Sequence, residues 1–71
     1  MSLSMVRASE AESLVLVYLT DSAEPQDIVE VVRGVRETNA QFAPTDVKVA
    51  ALNLVSKGRA KISNEWLLSP A

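Results

Sequence analysis

The chain has 71 residues, seven Lys and Arg against nine Asp and Glu, and a formal net charge of -2 at pH 7, which leaves room for one domain with one small core. It contains no Cys and no His, and this excludes disulfide frameworks, zinc sites with the usual ligands, thiol nucleophiles and imidazole bases. With 48% apolar residues it belongs with chains that fold rather than with disordered tails.

The charge is unevenly distributed. Residues 1–46 carry the acids Glu10, Glu12, Asp21, Glu24, Asp27, Glu30, Glu37 and Asp46 against Arg7, Arg33 and Arg36. Residues 47–71 carry Lys48, Lys57, Arg59 and Lys61 against Glu65 alone. The negative total opposes strong non-specific DNA binding, which comes from counterion release at Lys and Arg contacts, while the basic half leaves a place for it. The longest apolar run, Leu14 to Leu19, is far too short to span a bilayer, and no basic segment with an apolar region follows the start. A cytoplasmic protein without membrane contact is expected. Residues 1–4, ahead of a second methionine at Met5, read as an expression leader, and residues 5–71 read as a single domain.

In chain order, Ser9 and Glu12 have the spacing of a capping box, which predicts a helix over 9–20 with Ala11, Leu14, Val15, Tyr18 and Leu19 on one face. The same LVLVY run has the β-branched content of a buried strand. An α/β fragment with that strand is the alternative, although a parallel sheet needs more chain. Pro25 suits the first turn of a second helix, whose inward stripe is Ile28, Val31, Val32 and Val35. Gly34 lies inside that helix, and close packing against a neighbour is the expected reason. In the loop from Asn39 to Pro44, Phe42 is expected as a buried anchor.

Thr45 is a fitting N-cap for a third helix, with Asp46 in its first turn and Val47, Ala50, Ala51, Leu54 and Val55 facing inward. Gly58 is placed to adopt the left-handed conformation that ends helices. Beyond it the apolar residues alternate, and parity requires a loop with an odd number of residues around Ser63 to Glu65. Such a hairpin gathers Ala60, Ile62, Trp66 and Leu68 on the core side and leaves Lys61, Glu65 and Leu67 outward. Trp66 is then expected as a lid on the core.

Three helices, with Val47, Ala51, Leu54, Val55 and Gly58 spaced as in a recognition helix and the glycine before a wing, resemble the winged helix-turn-helix fold of bacterial regulators. AKIS and EWLLS stand where the wing strands would be, so the resemblance covers Ser9 to Ser69. It implies a mainly α fold with a small C-terminal β-hairpin, and a DNA-binding or transcription-regulatory role, dimeric, working by occupancy rather than catalysis. On a third helix in a major groove, Thr45, Lys48, Asn53 and Ser56 would face bases, with Lys57, Arg59 and Lys61 on phosphates.

Val49 and Leu52 complicate that surface. With Thr45 and Ser56 they draw one outward stripe at helical spacing, unusual for a face meeting phosphates, and they point instead to a protein partner or a dimer mate. Leu52 has the alternative of packing under the loop near Phe42. A protein-interaction module without DNA binding is therefore the competing reading. No nucleophile is paired with a base, and the two glycines are isolated, so neither an enzyme nor a cofactor or metal site is expected.

Overall fold

The computed structural model describes the backbone of residues 3–71 and the side chains of residues 9–71. Its elements are α1 (Leu3–Asp21), β1 (Gln26–Asp27), α2 (Ile28–Thr38), α3 (Pro44–Ser56), β2 (Ala60–Ile62) and β3 (Leu67–Pro70). The strands form one antiparallel sheet in the order β1-β3-β2. The chain is thus mainly helical with a small C-terminal hairpin, and the layout is consistent with a winged helix.

The LVLVYL run is helical, which removes the α/β alternative. Ala11, Val15 and Leu19, four residues apart, are fully buried, and Leu14, Leu16 and Tyr18 pack partly buried against the same core. The helix begins earlier than its capping signal: α1 runs back through Ser9 to Leu3, so the expected capping box does not form and Leu3 and Ser4 are helical. No Gly or Pro interrupts residues 3–8, so nothing stops propagation toward the N-terminus.

The second helix is corrected in the opposite sense. Pro25 lies outside it, because Gln26 and Asp27 pair with Leu68 and Leu67 of β3 before the helix starts. Asp27, with φ -75° and ψ 166°, is extended enough to end a strand and to act as N-cap, and its Oδ1 accepts the Glu30 N–H at 2.9 Å. Val31 and Val35 are buried, with Ile28 and Val32 partly so. Gly34 has the expected packing reason: a Cβ there would collide with the edge of the Tyr18 ring. Phe42 is buried, its carbonyl accepts from Arg36 Nε at 2.9 Å, and its N–H donates to the Asn39 carbonyl at 3.2 Å.

α3 starts two positions earlier than an N-cap at Thr45 implies. Ala43 is the N-cap and Pro44 the first helical residue, since a fixed φ and a missing N–H suit proline to that place. Asp46 Oδ2 accepts the Ala43 N–H at 3.0 Å. Val47, Ala50, Ala51 and Leu54 are buried. At the other end Gly58 has φ 75°, its N–H donates to the Val55 carbonyl at 3.0 Å, and the Arg59 N–H donates to the Leu54 carbonyl at 2.9 Å. This is a Schellman end, in which two otherwise unpaired carbonyls are satisfied.

The hairpin has the odd loop that parity demands. Ile62 faces Leu68, the Ser63 N–H donates to the Leu67 carbonyl at 2.9 Å, and the Trp66 N–H donates to the Ser63 carbonyl at 3.0 Å, leaving Asn64, Glu65 and Trp66 as the loop. Ala60 and Leu68 are buried and Lys61 is exposed. Trp66 is not a lid: it is 72% exposed. A loop of this kind needs a left-handed residue at its last position, and Trp66 supplies it with φ 63°. That conformation turns its side chain out of the strand's alternation.

Two substitutions test these packing assignments. Gly34→Ala should destabilise by about 1–2 kcal/mol, because overpacking against Tyr18 outweighs the helix propensity gained. In a Tyr18→Ala background the same change should become stabilising by about 1 kcal/mol, read from urea denaturation. Trp66→Gly should raise stability by about 1 kcal/mol through relief of the left-handed backbone. An unchanged or lower thermal midpoint for that variant would contradict the strain at the loop.

Candidate functional site

With Val47, Ala50, Ala51 and Leu54 facing the core, a helix of about 3.6 residues per turn leaves Thr45, Val49, Leu52 and Ser56 along the opposite line. All four are exposed. Val49 is 49% and Leu52 56% exposed, so Leu52 does not pack under the loop beside Phe42. The middle of this face is uncharged, and two aliphatic side chains occupy its centre.

The cations expected to accompany it are dispersed. Lys48 is exposed and lies on the flank of α3 shared with Val55. Asp46, Asn53 and Lys57 take the other flank, and Asn53 is half-buried there. Lys57 is engaged elsewhere: its Nζ meets Glu12 Oε1 of α1 at 2.6 Å, and the Glu12 side chain is only 13% exposed. Arg59 lines the same small recess of about 130 Å³, together with Ser9, Glu12, Ser13, Leu16 and Leu54. Both residues therefore belong to the junction of α1 with the end of α3. Lys61 stands on β2 opposite Ser69, on the sheet face away from Ala60 and Ile62.

Of the residues expected to form one working surface, the fold joins Thr45, Val49, Leu52 and Ser56 in a single stripe, with Lys48 and Asn53 at its margins. Lys57, Arg59 and Lys61 are not gathered around it. A carboxylate also stands at the start of α3, since Asp46 sits in its first turn, with its Oδ2 accepting the Ala43 N–H, near the positive end of the helix dipole. A winged helix reads DNA with that end of its recognition helix, and a negative group there repels phosphate.

Sequence reasoning did not find two participants. Glu12 as the partner of Lys57 had no local signal, because the pair is separated by 45 positions. Trp66 as an exposed side chain had one: the last residue of a three-residue hairpin loop must be left-handed and so leaves the strand face. It borders an open recess of about 300 Å³ with Ile62, Ser63 and Asn64.

Among the described residues no group of three His, Cys, Asp or Glu side chains converges to hold a metal ion, and no helix is long and apolar enough to cross a membrane. Comparison with models of known families, with curated proteins and with solved structures finds no match.

Proposed function

We propose that the chain is a non-catalytic winged-helix module of the cytoplasm that binds a protein through the outward face of α3. The observation that carries this reading is the exposure of Val49 and Leu52 at the centre of that face. Full burial of an aliphatic side chain contributes about 1.5–3 kcal/mol, and depletion of charge with apolar residues at the centre is the composition of a protein interface core. A phosphate-binding face needs the reverse, cations convergent on one line.

DNA binding is the second reading, favoured by the exposure of Lys48, Arg59 and Lys61 and by an exposed tryptophan at the hairpin tip. Against it stand the Glu12 partner of Lys57 and Asp46 at the start of α3.

Fluorescence anisotropy with a random duplex over a salt series separates the two readings. The protein-docking reading expects no binding at low salt beyond weak, non-saturating association. Saturable binding that weakens steeply with salt, and loses steepness in Lys48→Ala and Lys61→Ala, would establish the DNA reading in its place.

A further inference from the structure

We infer that the occupant of the outward face of α3 is a second copy of this chain, docked with its own α3 antiparallel to the first. The inference rests on the protein-docking reading above and specifies its partner. A closed two-fold dimer requires a patch complementary to itself under rotation. The stripe meets that requirement in its chemistry, since Thr45, Val49, Leu52 and Ser56 run hydroxyl, aliphatic, aliphatic, hydroxyl from either end. A two-fold axis lying between the two helices, level with the midpoint of positions 50 and 51, sets Val49 against the second copy's Leu52 and Thr45 against its Ser56. The two aliphatic pairs form a dry centre, and the hydroxyl pairs close its ends.

The helix dipole selects the antiparallel arrangement. Antiparallel docking opposes the dipoles of the two α3 helices favourably, while Lys57 stays with Glu12 of its own chain. On one flank Asp46 then lies beside the second copy's Asn53. A parallel pair would set like helix ends together, where their dipoles repel. Antiparallel docking leaves Lys48 beside the second copy's Val55 on the opposite flank, so no pair of like charges meets directly at the centre.

Sedimentation equilibrium of the whole chain with a charge-swap set tests this. The wild type should dimerise. Leu52→Asp and Val49→Lys, each at an exposed site and each checked for unchanged helicity by circular dichroism, should raise the dissociation constant at least about 100-fold. Mixed in equal amounts, the Val49→Lys and Leu52→Asp variants should associate again, because the ammonium introduced at position 49 of one copy then faces the carboxylate introduced at position 52 of the other while the second Val49–Leu52 pair stays aliphatic. Recovery is the distinctive outcome, since parallel helices would set each introduced charge against an aliphatic side chain and leave the mixture monomeric. A wild type still monomeric at about 1 mM, single variants that dimerise like the wild type, or a mixture without recovery overturns the inference. Salt-steep duplex binding by a monomer overturns the protein-docking reading itself. A monomer that ignores DNA overturns only the second copy as partner.

Discussion

A single helix has one face for the core, and the orientation of α3 is the constraint on which the other elements depend. Its committed residues are Val47, Ala50, Ala51 and Leu54, and the two alanines keep the helix surface low enough for close approach by α1 and α2, both of which contact it. The end of the helix is bound to the same choice. Gly58 reverses the chain, and the Arg59 N–H returns to the Leu54 carbonyl, so that Ala60 enters the core at the first position of β2. From there the register places Leu68 opposite Ile62 on one side and Gln26 on the other. The sheet is thereby anchored to the helical core through its middle strand.

The same commitment decides the character of the surface. Once four residues of α3 are buried, their complement is an uncharged stripe, and a positively charged chain segment does not become a positively charged face. Lys57 turns to Glu12 and Lys61 extends from the hairpin. Association at such a face draws on removal of apolar area from water, a driving force that is weakly sensitive to salt in the range where phosphate binding collapses. This is the physical distinction between the two functional readings.

Two residues break local preference in ways that carry different meanings. Gly34 is unfavourable in a helix interior, but the Tyr18 ring occupies the space a side chain would take, so packing between α1 and α2 accounts for it. Trp66 adopts a backbone conformation that bulky residues disfavour, and it is exposed rather than packed. At 72% exposed, the side chain has little burial to compensate that choice. Violations of local rules concentrate at functional or strained positions, which makes the hairpin tip a second place where a contact beyond the chain itself is to be sought.

By itself the sequence determined the features that arise between near neighbours: three helices with their inward stripes, the buried Phe42, the stop at Gly58 and an odd hairpin loop. These follow from helical periodicity, strand parity and the conformational freedom of glycine, all of which are written within a few residues. Tertiary structure alone decided β1, because two residues acquire strand geometry only when β3 is beside them. The helix starts also moved from Ser9 to Leu3 and from Pro25 to Ile28, and the N-cap of α3 from Thr45 to Ala43, since a cap-like residue is only one of several groups able to satisfy a helix end. The outward turn of Trp66 depended on which loop position became left-handed. The diversion of Lys57 to Glu12 depended on α1 lying beside the end of α3, a proximity that no local pattern encodes.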